Sequence, residues 1–265
     1  MTTAPNRAKR ALEGRHVIVT RAAAERDPLV EMLEERGARA IRAPAIQLVP
    51  ARDDVLDAAI DELAAGRFEW VVFTSRTGVG VVMNRLAARG MDGTALRASV
   101  AAVGEGTAHA LAHAGIEPAM VPETFTTEAL AKAMPSGSGR VLLARADIAG
   151  EELESAVQAA GWTPVRVDAY RTVFSTRMPE DAARAVANGG VDAITFTSAS
   201  TVEGFRRMLG SWAGLAQPRP KVACIGPVTA SAARESGLGV DAIATPHTIE
   251  GLVRALESVF PSGEE

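Results

Sequence analysis

The sequence predicts an α/β protein built as two similar domains, each with a parallel sheet flanked by helices. Three observations predict it. Short β-branched and apolar runs alternate with helical periodicities closed by glycine along the whole chain, the pattern of repeated βα units. Two of those runs end alike, in Val72-Phe73-Thr74-Ser75 and Thr195-Phe196-Thr197-Ser198, and each leads into a helix. Matching segments also recur at a nearly constant spacing. Val19-Thr20-Arg21 aligns with Leu143-Ala144-Arg145 at an offset of 124, and Phe73-Thr74-Ser75 with Phe196-Thr197-Ser198 at 123. Ala102–Ala108 aligns with Cys224–Ala230, and Thr127–Leu130 with Ile249–Leu252, both at 122. Unrelated α/β units share Gly-capped helices, but four aligned places drifting by two residues require a duplicated module.

In chain order, Val17–Thr20 reads as a strand. Leu29, Met32 and Leu33 lie at helical spacing over residues 28–36, and Gly37 closes that helix. Residues 40–48 are extended and broken by Pro44; residues 54–65 are an amphipathic helix through Val55, Leu56, Ile60 and Leu63. The Val71–Phe73 strand and its helix to Gly90 follow, then a strand over 99–103, a helix over 105–114, a short strand over 116–121 and a helix over 127–134. Ser136-Gly137-Ser138-Gly139 reads as a connector. Beyond it come strand 141–144, helix 151–160, a long strand 165–173, helix 181–187, the second Phe-Thr-Ser strand and the helix through Val202 to Leu209. Strand 222–225, helix 228–236, strand 240–244 and helix 249–259 complete the chain.

At 265 residues the chain is long enough for two cores. It is 47% hydrophobic and 23% charged, an ordinary globular composition. A net charge of -4 argues against a nucleic-acid binder. No apolar run reaches membrane-span length, and the N-terminus has basic residues but no apolar signal segment, so a cytoplasmic location is expected with residues 1–13 as a flexible tail. The single cysteine, Cys224, allows no internal disulfide and reads as a buried inert thiol.

In open α/β sheets, ligands bind outside the carboxyl ends of the strands. The residues there are Thr20, Arg21, Thr74, Ser75, Gly104, Thr107, Arg145, Thr197, Ser198, Gly226 and Thr229. They are hydroxyls, glycines and arginines, with no His-Asp or paired-carboxylate set. Helix starts add unpartnered N–H groups and a positive dipole end, so the set suits a multiply anionic ligand. Each residue also has a plainer reading: Ser75, Ser198 and Thr229 as helix-start hydroxyls, Arg21 and Arg145 in salt bridges. Arg76 carries less weight because its repeat partner is Ala199. His109 and His113 are four apart on a helix, but Ala110 stands where a zinc motif needs glutamate, so no metal is expected. Gly104-Glu105-Gly106 has His109 in place of a dinucleotide fingerprint's third glycine.

These residues, together with Val17–Arg21, Leu142–Arg145, Ala169-Tyr170-Arg171-Thr172, Phe196–Ser200 and Cys224–Ala230, resemble the uroporphyrinogen-III synthase family in order over nearly the whole chain. A cut at the Ser-Gly connector would give tandem domains. The resemblance instead implies two extended crossing segments, near 44–50 and 168–174, with a cleft between the domains. Domain one is then 14–45 plus 175–265, and domain two 48–168. It implies a cofactor-free reaction on hydroxymethylbilane, a linear tetrapyrrole with eight carboxylates. The terminal hydroxyl leaves, ring D attacks through its substituted carbon to form a spiro intermediate, and the ring recloses with ring D inverted. The substrate also cyclises unaided to the uninverted isomer, so much of the enzyme's task is to hold a geometry. The resemblance assigns acid assistance at the departing hydroxyl to Tyr170; Thr229, at the N-terminus of its helix, is expected to bind a substrate carboxylate. Passing contact with the upstream bilane-forming enzyme is a further expectation. The competing reading is a non-catalytic two-lobed module that binds or senses a tetrapyrrole or similar anion.

Overall fold

The computed structural model of the chain describes residues 11–51, 53–124 and 126–260. The chain divides into two compact units: residues 1–47 with 173–265, and residues 48–172.

The first unit is built on β1 (His16–Val19), β2 (Arg39–Arg42), β8 (Ala193–Phe196), β9 (Lys221–Cys224) and β10 (Ala242–Ile243), in the sheet order β10-β9-β8-β1-β2. The pairings β1–β2, β1–β8, β8–β9 and β9–β10 are all parallel. Helices α1 (Pro28–Glu35), α7 (Glu180–Ala187), α8 (Ala199–Leu209), α9 (Pro227–Glu235) and α10 (Ile249–Ser258) cover the faces. Because side chains alternate along a strand, the sheet feeds two cores. Ile18, Ile194, Phe196, Val222 and Cys224 enter one with Phe205 of α8. Val17, Val19, Ala193 and Ala223 enter the other with Leu29, Leu33, Leu252 and Leu256. Phe196 meets Phe205 and Trp212 edge-on, at 5.9 and 6.4 Å between ring centroids. A side chain at Gly204 would overlap the carbonyl of Ala45, so only glycine lets α8 pack this close.

The second unit repeats the plan. Its sheet runs β3-β7-β6-β4-β5, from β3 (Ile46–Pro50), β4 (Trp70–Phe73), β5 (Ser99–Ala102), β6 (Arg140–Ala146) and β7 (Thr163–Phe174). The β4–β5, β4–β6 and β6–β7 pairings are parallel. The helices are α2 (Asp53–Ala64), α3 (Arg76–Ala87), α4 (Glu105–His113), α5 (Thr127–Ala133) and α6 (Glu152–Ala159). Val71, Phe73, Leu142 and Ala144 face one core, and Val72, Val141 and Leu143 the other.

The repeat is visible in the register. Phe73 pairs with Ala102 and Ala144; Phe196 pairs with Cys224, and Val19 with Thr195, which sets Thr20 opposite Phe196. These partners stand at the same offsets as the sequence alignment. The order β9-β8-β1-β2 in one unit therefore corresponds to β5-β4-β6-β7 in the other, with the halves of the first unit lying on either side of the second in the chain. The chain passes between units within β3 and again within β7.

Two expectations need correction. The strand expected over 116–121 is reduced to a single bridge from Met120 to Ala101. Pro118 and Pro122 flank it, and neither has an N–H to extend a ladder. The tail expected over 1–13 lies outside the described residues as far as position 10, but at Leu12 the chain is already fully buried in the core with Val17 and Leu29. Among the described residues no helix is long and apolar enough to cross a membrane.

Candidate functional site

In the second unit the chain leaves β4 towards β5 on one side and leaves β6 towards β7 on the other. The connections diverge between β4 and β6, and the crevice at such a switch point is where open α/β sheets bind ligands. Thr74 and Ser75 follow β4, Gly104 follows β5, and Asp147 follows β6. The corresponding edge of the first unit lies between β8 and β1. There Thr20 and Arg21 follow β1, Thr197 and Ser198 follow β8, and Gly226 follows β9.

Tyr170 reaches the second unit's switch point because β7 is irregular. Val165, Val167 and Ala169 point to one core in strict alternation, which would send residue 170 to the opposite face. The β6–β7 register instead shifts: Arg145 pairs with Asp168, and Ala146 with Tyr170, leaving Ala169 as the extra residue of a bulge. Tyr170 therefore joins the same core as Ala169 and is 9% exposed. Its hydroxyl donates to Ser75 Oγ at 3.0 Å, and the same oxygen accepts from the Gly78 N–H at 3.0 Å to cap α3. Burial pushes the phenol's pKa above its ordinary value; the Ser75 hydrogen bond draws it partly back, and the Asp147 carboxylate adds to the rise. At neutral pH the group is an uncharged hydrogen-bond donor.

The helix starts are of two kinds. Ser75 and Ser198 are N-caps. Ser198 forms a full capping box with Thr201, whose hydroxyl also accepts from the Thr197 and Ser198 N–H groups at 3.3 and 3.2 Å. Gly104 and Gly226 are N-caps that supply no side-chain acceptor to the first turns of α4 and α9; in α9 the first N–H belongs to Val228, because Pro227 has none. Their backbones match, at φ -170 and ψ 173 for Gly104 and φ -170 and ψ 175 for Gly226. Thr107 and Thr229 occupy the same place on these helices and are 5% and 4% exposed. Arg76, which the repeat discounted, lies over Gly106 at the start of α4, linking the two helix starts of the second unit.

The two arginines differ. Arg21 donates to Asp27 at 3.0 Å, and Asp27 caps α1 through the Leu29 N–H. The Arg21 side chain keeps 25% of its surface open. Arg145 is 4% exposed and donates to Glu154 at 2.6 Å and to the Gly150 carbonyl at 2.7 Å. The alternative to a substrate clamp is a surface salt bridge; here the arginine is buried and its partner partly so. Thr20, also fully buried, donates to the Thr195 carbonyl at 2.7 Å and serves the sheet.

Cys224 is buried, and burial pushes its thiol up to about 12. His109 and His113 are exposed on α4. Among the described residues no group of three or more His, Cys, Asp or Glu is gathered to hold a metal ion. A cavity of about 350 Å³ in the second unit is lined by Ala51, Val55, Arg166, Val167, Asp168 and Arg171. It includes none of the expected site residues. Nothing in the sequence marks Asp147, an isolated acidic residue two positions after Arg145.

Residues 27–254 match the family model described as uroporphyrinogen-III synthase HemD. The uroporphyrinogen-III synthase of Synechococcus elongatus is 31% identical over 258 residues, covering 94% of this chain and 97% of that protein. A putative uroporphyrinogen-III synthase of Methanothermobacter thermautotrophicus is 30% identical over 255 residues, covering 90% of this chain and 96% of that one. Among solved structures, a mutant uroporphyrinogen III synthase of Thermus thermophilus aligns with a TM-score of 0.67 at 24% identity, over 92% of this chain and 100% of that one. The Helicobacter pylori protein aligns with a TM-score of 0.58 at 16% identity, over 93% and 99%. At such identities the structural likeness establishes the fold alone. The family model and the relatives together carry the assignment: the chain belongs to the uroporphyrinogen-III synthase family.

Proposed function

We propose that this chain cyclises hydroxymethylbilane to uroporphyrinogen III, with Tyr170 as the group that assists loss of the terminal hydroxyl. The observation that supports this role is the buried, neutral phenol held against Ser75 at the switch point of the second unit. The hydroxyl departs as water with a proton donated from the phenol side, while the ring A nitrogen lone pair supplies the electrons and leaves a protonated, cationic azafulvene. Ring D attacks through its substituted carbon, the spiro intermediate opens, and reclosure inverts the ring. The ring proton lost at the end restores the phenol. No electron is gained or lost overall. The phenol O–H donates to Ser75 Oγ, so its proton reaches the departing oxygen through that hydroxyl; such a neutral donor acts mainly in the transition state, where its effect on rate is greatest.

The eight carboxylates need donors rather than a nucleophile. In the second unit we assign them to Thr74, Ser75 and the N–H groups after Gly104; in the first, to Arg21, Thr197, Ser198 and the α9 start at Gly226 and Thr229. Arg145 supports the site from behind, because Glu154 already engages it. We take the two units, 1–47 with 173–265 and 48–172, as the enzyme's two domains. A cytoplasmic location, with passing contact to the enzyme that makes this self-cyclising substrate, belongs to the same reading.

The test is incubation with freshly generated hydroxymethylbilane, followed by oxidation and chromatographic separation of the isomers. The inverted isomer is expected in excess. Formation of the uninverted isomer alone, at the spontaneous rate, would leave a binding module and end this proposal. Within it, Thr229→Val removes one donor to a carboxylate while keeping the side-chain volume. KM is expected to rise about tenfold with kcat within about twofold, the magnitude of one hydrogen bond to a charged group. A wild-type KM would remove Thr229 from the carboxylate set.

A further inference from the structure

We infer that Asp147 is a positioning residue for Tyr170: it pins the β-bulge that turns the phenol inward on to Ser75. The inference rests on the reading of Tyr170 given above.

In a parallel ladder, a residue that donates its N–H to one partner carbonyl accepts, at its own carbonyl, from the N–H two residues further along the partner strand. Asp147 makes the first of these bonds: its N–H donates to the Tyr170 carbonyl at 3.1 Å. The second bond would run from the Thr172 N–H to the Asp147 carbonyl. That N–H donates to Asp147 Oδ1 instead, at 2.8 Å. The carboxylate has replaced the backbone carbonyl, and the carbonyl has turned away to accept from Arg166 at 2.9 Å. The substitution occurs one residue after the register shift at Arg145/Ala146, where β6 stops following β7. Asp147 thus grips β7 on both sides of Arg171 and holds Tyr170 in its shifted register. The same Oδ1 accepts from the Ile148 N–H at 2.9 Å, which fixes the carboxylate.

The surrounding loop is clamped as well. Arg166 also donates to the Ala146 and Ala149 carbonyls, at 3.2 and 2.9 Å. Among the described residues the first unit has no counterpart of this device. At the repeat offset of 124, Ala23 stands for Asp147 and Ile46 for Tyr170. The β1–β2 ladder runs from His16↔Arg39 to Val19↔Arg42 without a shift. The bulge and its carboxylate pin occur in the unit that carries the phenol.

The experiment uses the full-length enzyme, with Asp147→Ala and Asp147→Asn. Tyr170 is the chain's sole tyrosine, so tyrosinate absorbance on alkaline titration reports this residue alone. Asp147→Ala removes the acceptor: kcat is expected to fall about 30-fold with KM within about threefold, the pattern of a lost transition-state contact. The tyrosine titration is expected to move down towards the ordinary phenol range as the ring loosens. Asp147→Asn keeps an acceptor oxygen and loses the charge, so kcat is expected to recover to within about fivefold of wild type while the titration still moves down. Wild-type kcat and an unmoved titration in Asp147→Ala would overturn the inference. If Asp147→Ala fails to fold, Asp147→Asn decides: a titration that does not move, or a kcat as low as that of Tyr170→Phe, overturns it. A Tyr170→Phe enzyme with full turnover would sink the catalytic reading of Tyr170 separately, leaving the titration as the test of positioning.

Discussion

Tyr170→Phe is expected to lower kcat by about 100- to 1,000-fold while KM stays within about threefold, as for the loss of a positioned acid or hydrogen-bond donor. The substitution is conservative in volume, and the ring would keep its place in the core with Val167 and Ala169. Ser75 Oγ would still accept from the Gly78 N–H, so α3 keeps its cap. What disappears is the donor at the switch point. Residual product should shift towards the uninverted isomer, because the spontaneous route competes once the assisted route slows. The pH profile supplies a second measurement. Burial and the nearby Asp147 carboxylate hold the phenol above its ordinary pKa, so it is protonated throughout the physiological range. Loss of activity on its ionisation should fall on the far alkaline side and vanish in Tyr170→Phe. Wild-type turnover in the variant would assign Tyr170 to packing and leave the site without an acid.

The sequence made the framework of this site legible and hid its fine aim. The Phe-Thr-Ser strand ends and Gly-closed helices announced β4, β8 and the helices after them, because caps and strand periodicity are local signals. The repeat offsets anticipated the register, since Phe73 and Phe196 pair with Ala102 and Cys224 as the alignment implies. The bulge was illegible. Val165, Val167 and Ala169 alternate regularly, and the break at Arg171 does not by itself tell a bulge from a strand end; the register slip depends on a carboxylate more than twenty residues upstream. The role of Arg145 was hidden for the same reason. Strand-end position suggested a ligand contact, but its partner Glu154 lies on the next helix and becomes visible only when α6 packs back on the sheet. Arg76 was discounted for lacking a repeat partner, yet duplicated units specialise where they differ: Tyr170, Asp147 and Arg76 have no equivalents in the first unit.

Glu154→Ala is expected to destabilise the second unit by about 3–5 kcal/mol, the range for stranding one partner of a buried ion pair. The Arg145 and Glu154 side chains are 5% and 16% exposed, with 2.6 Å between their charged atoms. Arg145 Nε is already buried without a hydrogen-bond partner, so the guanidinium depends on Nη1 and its two acceptors. Removing the carboxylate leaves the Gly150 carbonyl and a charge with little access to water. Arg166, whose Nη1 is 3.6 Å from Glu154, gains further unbalanced positive charge beside it. Combining Arg145→Met with Glu154→Met removes both charges and retains apolar volume, so the double variant should lose less than Glu154→Ala alone. Urea unfolding of the three proteins measures this ordering, with the midpoint shift read at constant slope. A loss below about 1 kcal/mol in Glu154→Ala, the level of an exposed pair, would mean that water reaches the guanidinium. In that case Arg145 would regain its claim as a clamp for a substrate carboxylate, and its KM effect would become the measurement to make.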